Sequence, residues 1–203
     1  MTAKLVAALS MVAVLGWSAP SFAAGSKEAG QAKSATCMAC HGMDGNSVNP
    51  EWPNLAAQHP SYILRQLTAF KGGERKNDLM SPMAMILSDE DMADLAAYFS
   101  SQAIKGGETE PSKLALGQRV YRAGNVKAGV MACAGCHGPT GRGNPLAGYA
   151  SIQGQHAVYV AAQLRAYRSG ARATDPNQMM RNVAAMLSDE EIDAVASYVQ
   201  GLR

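Results

Sequence analysis

Apolar residues recur along this chain at helical spacing, and they do so twice. Met92, Leu95, Ala96 and Phe99 fall on one helix face, and a hundred positions later Ile192, Val195, Ala196 and Val199 do the same. Each stripe is preceded by a serine with an acidic residue three positions on. Ser88 with Asp91, and Ser188 with Glu191, are the capping box that opens a helix. Upstream, Tyr62, Leu67 and Phe70 mark a middle helix near 60–72. Tyr159, Leu164 and Tyr167 mark its counterpart near 156–169. Shorter helices are expected at 26–36 and 112–123. No stretch alternates with the period of a strand, so the pattern predicts an all-α chain.

One apolar run breaks this pattern. Leu5 to Trp17 is uncharged and almost wholly apolar, follows the single charge of Lys4, and is followed by Pro20 and small residues. That is the layout of a secretory signal peptide, with cleavage expected after Ala23. The run is shorter than the ~20 residues a spanning helix needs. The reading places the mature chain, residues 24–203, outside the cytoplasm, most simply in a bacterial periplasm.

The two halves match well beyond their helix stripes. Gly30-Gln31 recurs as Gly117-Gln118, "QHPSYILRQLTAFKGGER" (58–75) as "QHAVYVAAQLRAYRSGAR" (155–172), and "LSDEDMADLAAYFSSQ" (87–102) as "LSDEEIDAVASYVQGL" (187–202). This is a duplicated domain. Residues 24–102 form the first copy and 112–203 the second. Between them "AIKGGETEP" (103–111) is rich in Gly and charge and reads as a linker.

Composition sharpens this picture in two ways. The whole chain has only three Phe and two Trp, so two small domains would have thin cores unless something else fills them. Eighteen basic residues against sixteen acidic leave a net charge of +2, too little to suggest nucleic acid as a partner. The charge is uneven, however. Residues 24–104 hold six basic and nine acidic residues, and residues 105–203 hold eleven and seven, which gives −3 and +4. Such a dipole would present different ends to different partners, with Arg165, Arg168 and Arg172 as candidates for steering at the basic end.

All four cysteines sit in two identical phrases, Cys37-x-x-Cys40-His41 and Cys133-x-x-Cys136-His137. C-x-x-C alone could be a redox dithiol, a disulfide or half a zinc site. C-x-x-C-H is the attachment signature of c-type haem. Two thiols add across the vinyl groups on one porphyrin edge, and the adjacent His reaches the iron. Two covalent haems would also fill the thin cores.

Haem iron held by His has a sixth position, and its occupant separates a carrier from a catalyst. Aligning the halves on Leu87-Ser88 and Leu187-Ser188 puts Met80 on Met180, whereas Met83 meets Val183 and Met179 meets Leu79. Met80 and Met180 are therefore the candidate ligands, expected on an irregular stretch just before the last helix. Met83 and Met179 are the reserves. His59 and His156 also repeat, so bis-His ligation is the competing arrangement.

Taken together, these motifs resemble the class I cytochromes c: C-x-x-C-H near the start, a Met before a capped "LSDEE" helix, and a Gly on the first helix facing an aromatic on the last. Two such domains with "QLxxF/YxxG" in each resemble the dihaem cytochrome c4 family across essentially the whole mature chain. The resemblance implies two tandem class I cytochrome c domains, each wrapped around one covalently bound haem c, with His/Met ligation at both irons. It implies periplasmic electron transfer, with a haem–copper terminal oxidase as acceptor and a quinol-oxidising complex or dehydrogenase as donor. Peripheral membrane association is compatible with such a role. It also implies that a loop carbonyl accepts the proximal His N–H, from Pro53 in "WPNL" (52–55) and Ala150 in "YASI" (149–152). Two other readings stand beside the free carrier. One is the cytochrome subunit of a periplasmic dehydrogenase such as flavocytochrome c sulfide dehydrogenase. The other is a dihaem peroxidase, which needs an open or switchable iron.

Overall fold

A computed structural model describes residues 25–203, and the expected signal peptide, 1–23, lies outside the described residues. The first half contains α1 (Lys27–Lys33), α2 (Ala35–His41), α3 (Pro60–Lys71), α4 (Met80–Met85) and α5 (Asp89–Ser100). The second contains α6 (Pro111–Ala123), α7 (Ala134–His137), α8 (Ala157–Ser169), α9 (Met179–Ala185) and α10 (Asp189–Gln200). Among the described residues the only β pairing is two isolated bridges, Asn125–Val130 and Asn144–Tyr149.

In each half the first helix crosses the last. α1 packs on α5 and α6 on α10, through a glycine with no room for a side chain. A Cβ at Gly30 would lie 2.0 Å from the Asp94 carbonyl oxygen and 2.8 Å from Tyr98 Cβ. At Gly117 it would lie 2.2 Å from the Ala194 carbonyl oxygen and 2.8 Å from Tyr198 Cβ. Both capping boxes are formed. Ser88 Oγ accepts the Asp91 N–H at 3.0 Å and Ser188 Oγ the Glu191 N–H at 3.2 Å, and each acid bonds back to its serine N–H. The apolar stripes of α5 and α10 face inward as expected, and all eight named residues are buried.

Two expectations need correction. The first helix of domain one does not run unbroken over 26–36. It breaks at buried Ser34, whose Oγ donates to the Gln31 carbonyl at 2.7 Å, and α2 then carries the whole C-x-x-C-H motif. The stretch bearing Met80 and Met180 is not irregular but forms the short helices α4 and α9. A polar side chain starts each of them. Asn77 Oδ1 accepts the Met80 N–H at 2.8 Å, and Asp175 Oδ2 accepts the Arg181 N–H at 2.9 Å.

The segment 103–110 lies strapped across both domains. Asn46 Nδ2 donates to the Ala103 carbonyl, and Lys105 pairs with Asp44 at 2.7 Å. On the other side the Gly107 N–H donates to the Gln200 carbonyl and the Glu110 N–H to Ser197 Oγ.

The domains meet about a pseudo-two-fold axis, through a ring that neither half could build alone. Arg75 donates to Gln66 Oε1 in its own domain and to Tyr159 and Gln163 across the interface, at 2.8, 3.1 and 2.9 Å. Arg172 does the mirror image, to Gln163 in its own domain and to Tyr62 and Gln66 across it, at 2.8, 2.9 and 2.8 Å. Each guanidinium also stacks on a ring of its own domain, Arg75 on Phe70 and Arg172 on Tyr167. Planar five-donor groups suit such a ring, because every bond has a fixed direction.

Candidate functional site

Cys37, Cys40 and His41 lie on one short helix. Positions three and four apart share a helix face, so both thiols and the imidazole are presented together. Cys133, Cys136 and His137 repeat this, with Cys133 capping α7. All four cysteines are half-buried, and Cys37 and Cys133 pack on the separate apolar cores of their domains. Burial raises both of these thiols, Cys133 to about 11. No group of three or more His, Cys, Asp or Glu gathers as a metal site among the described residues.

Both histidines are oriented from behind. Nδ1 of His41 donates to the Pro53 carbonyl at 2.8 Å, and Nδ1 of His137 donates to the Ala150 carbonyl at 2.9 Å. These are the acceptors that the family resemblance implies. A carbonyl can only accept, so Nδ1 carries the proton and Nε2 is left with a lone pair. Burial lowers the pKa of both imidazoles, against the opposing pull of the carbonyl. A neutral imidazole with Nε2 bare is the form that binds a metal.

Met80 lines a small cavity with Cys37, Thr36, Leu67, Met83 and Leu87. Both the first-choice methionine of this domain and its reserve, Met83, therefore reach the cavity that the cysteine borders. Met180 and Met179 stand half-buried at the start of α9. His156 is committed elsewhere, since its Nε2 lies 2.9 Å from the Ser47 carbonyl of the other domain. His59 caps α3.

The steering residues named from charge alone are not free. Arg165 pairs with Asp193 and Asp189, and Arg168 with Asp189 at 2.6 Å. Arg172 is only 6% exposed, inside the interdomain ring. Arg172 is therefore not a surface charge, and Arg165 and Arg168 are held against Asp189 and Asp193, whose charges the +4 already includes.

The residues fit a haem that carries acidic propionates. Four buried polar atoms lack a partner: His59 Nε2, Arg65 Nε, Arg172 Nε and Thr174 Oγ1. Every one of them can donate a hydrogen bond. Arg65, Arg75 and Arg172 pair with no carboxylate among the described residues. The partners these arginines do have are neutral amides, hydroxyls and a carbonyl, so their charge is uncompensated and two Nε–H groups are unbonded, which an anionic group would satisfy. No sequence signal marked Arg65, Arg75 and Arg172 as a set. Two of them, Arg75 and Arg172, do recur at matching places in the repeat.

Comparison with known proteins agrees with this geometry. The cytochrome c family profile matches residues 27–103 and again 114–203. Cytochrome c4 of Thiocapsa roseopersicina is 49% identical over 180 residues, covering 88% of this chain and 93% of that protein. The crystal structure of reduced recombinant cytochrome c4 from Pseudomonas stutzeri superposes with a TM-score of 0.86 at 46% identity, over 89% of this chain and all of that one. A thiosulfate dehydrogenase electron acceptor from Stutzerimonas stutzeri is 36% identical over 80% of this chain and 76% of its own length. With two C-x-x-C-H helices, two oriented histidines and two all-α units, this chain belongs to the cytochrome c4 family, dihaem electron-transfer proteins with one covalent haem c in each of two tandem cytochrome c domains.

Proposed function

We propose that the chain is a periplasmic carrier that delivers electrons to a haem–copper terminal oxidase, taking them from a quinol-oxidising complex or a dehydrogenase. In this reading Cys37 and Cys40 hold the first haem and Cys133 and Cys136 the second. His41 with Met80 would hold the first iron, and His137 with Met180 the second. The observation that carries the reading is the cavity shared by Cys37 and Met80, in a domain whose repeat leaves Met80 as the methionine answered by another methionine. When bound, the haem supplies a reversible one-electron step. The protein's part would be to offer each haem a His and a Met, which would leave no open position for substrate.

Exposed apolar side chains flank the Met-bearing helices: Leu79, Met85 and Ile86 in the first domain and Met186 in the second. Apolar patches of this kind are contact surfaces for partners. A second reading has support from the 36%-identical relative named as a thiosulfate dehydrogenase electron acceptor. There the donor is that dehydrogenase, and the chain serves as its acceptor rather than as a general respiratory carrier.

Stopped-flow kinetics separate the two. Reduced protein mixed with oxidase-containing membranes should be oxidised at a rate that saturates with the carrier. Reduction by a thiosulfate dehydrogenase should be slow by comparison. Fast reduction by that enzyme with no oxidation by the membranes would overturn the oxidase reading. The export reading has its own check. The mass of the protein isolated from periplasm should match a chain starting at Ala24 plus two haems. A mass that retains residues 1–23 would refute cleavage.

A further inference from the structure

The peptide group joining Pro53 to Asn54 makes two hydrogen bonds of different kinds. Its carbonyl accepts the His41 Nδ1 proton at 2.8 Å. Its N–H donates to Oε1 of Gln155, a residue of the other domain, at 2.8 Å. Gln155 closes the bracket by donating Nε2–H to the Asn54 carbonyl at 2.9 Å. The second domain mirrors this arrangement. The Ala150 carbonyl accepts His137 Nδ1–H at 2.9 Å, and the Ser151 N–H of the same peptide group donates to Gln58 Oε1 at 2.9 Å. Gln58 Nε2 in turn donates to the Ser151 carbonyl at 2.7 Å. Both glutamines are 8% exposed, so water does not compete for these bonds. Each is also steadied by its own chain, since Oε1 accepts the next residue's N–H, from His59 at 3.0 Å and from His156 at 3.1 Å.

Hydrogen bonds in a chain polarise one another. A peptide whose N–H is bonded therefore has a carbonyl that accepts more strongly. A stronger acceptor behind a ligating imidazole raises its basicity, and second-shell partners of this kind tune the metal they do not touch. A more electron-rich ligand favours Fe(III) and lowers the potential. We propose that Gln155 tunes the first domain's haem and Gln58 the second domain's, each as a positioning residue acting through the other domain's proximal-histidine peptide. Docking of the two domains thereby sets both potentials. The proposal rests on the reading that His41 and His137 ligate iron.

The test uses the full dihaem protein. Gln155→Leu keeps the bulk and removes both bonds to Asn54. The first haem should become easier to reduce, by about threefold in its Fe(II):Fe(III) ratio at a fixed applied potential. At ~59 mV per tenfold for one electron, that is ~30 mV. The second haem should not move. Gln58→Leu should give the crossed result, moving the second haem and sparing the first. Potentials are read haem by haem from paramagnetically shifted haem-methyl resonances through a redox titration. Gln155→Glu keeps an oxygen for the Asn54 N–H, so it should hold the first haem at or below its wild-type potential. A rise with Glu, a shift confined to the variant's own domain, equal shifts of both haems in both Leu variants, or no shift would each overturn the proposal. Failure of the ligation reading looks different and shows before any substitution is made. In the wild-type protein the His41 and His137 ring protons would then lack a hyperfine shift.

Discussion

Replacing Met80 by alanine should open one haem of the two and leave the other unchanged. The residue begins α4, where alanine is at least as good a helix former, and Asn77 still caps the first turn through backbone N–H groups. The helix therefore survives and the loss falls on the iron. A thioether ligand favours Fe(II), so the first haem's potential should fall by a sizeable fraction of the ~0.8 V range that axial ligands span. That haem should also bind carbon monoxide, and the charge-transfer band of Met-ligated Fe(III) should lose half its intensity. Met180→Ala should do the same to the second haem. Met83→Ala is the informative control. It lines the same cavity as Met80 but meets Val183 in the repeat, so it should leave the band intact. A band lost with Met83 and kept without Met80 would show that the alignment on the "LSD" helices chose the wrong residue.

What the sequence could disclose was what depends on near neighbours along the chain. Helix caps, apolar stripes and the C-x-x-C-H motif are decided within a few residues, so Ser88, Ser188, Cys37 and Cys133 are readable directly, although the helix that carries the first motif is not. The Pro53 and Ala150 carbonyls became readable through family resemblance, and the structure places them within 2.9 Å of their histidines. The interface was not readable. By helical spacing Tyr62 and Tyr159 mark the middle helices, but their hydroxyls accept bonds from arginines of the opposite domain. Gln66 and Gln163 are polar residues on the face that the flanking aromatics share, and Gln66 is buried there. A helical pattern assigns polar residues to water because it sees one helix at a time. The signal was present in another form. Gln58, Gln66 and Arg75 recur as Gln155, Gln163 and Arg172, all shifted by the same interval. Polar residues repeated in register across a duplication are what a two-fold contact between the copies requires, since each side must satisfy the other.

The same logic explains why the charge count misled. Counting treats every arginine as exposed, but Arg172 is buried at the interface between the domains. The surface near the Met-bearing helices mixes apolar Leu79, Met85 and Ile86 with exposed Lys76, Asp78, Asp89 and Glu90.

Gly30→Ala and Gly117→Ala should be the most damaging single substitutions to stability, each in its own domain. Alanine normally helps a helix, by about 1 kcal/mol over glycine. Here the added methyl would sit 2.0 Å from the Asp94 carbonyl oxygen, or 2.2 Å from that of Ala194. The obstacle is backbone, which cannot rotate aside, so the two crossing helices must separate. Overpacking costs ~1–3 kcal/mol where side chains can adjust, and a rigid obstacle puts these sites at or above that upper end. Even after the propensity gain, a net loss of about 2 kcal/mol is expected. For domains of this size that is ~8–16 °C in Tm. Separation of α1 from α5 would also loosen the cluster against which Cys37 packs, so haem contacts should weaken with the fold. Gly135→Ala is the matched control. It lies in α7, a Cβ there meets nothing within 4 Å, and the first domain already carries Ala39 at the same place in its motif. Thermal scans followed at the haem absorbance should show Gly135→Ala unchanged or slightly raised. Gly30→Ala and Gly117→Ala should each split the transition, with one half melting early. If both melted like the control, the helices could yield at the crossing, and close backbone approach would not be the reason glycine stands there.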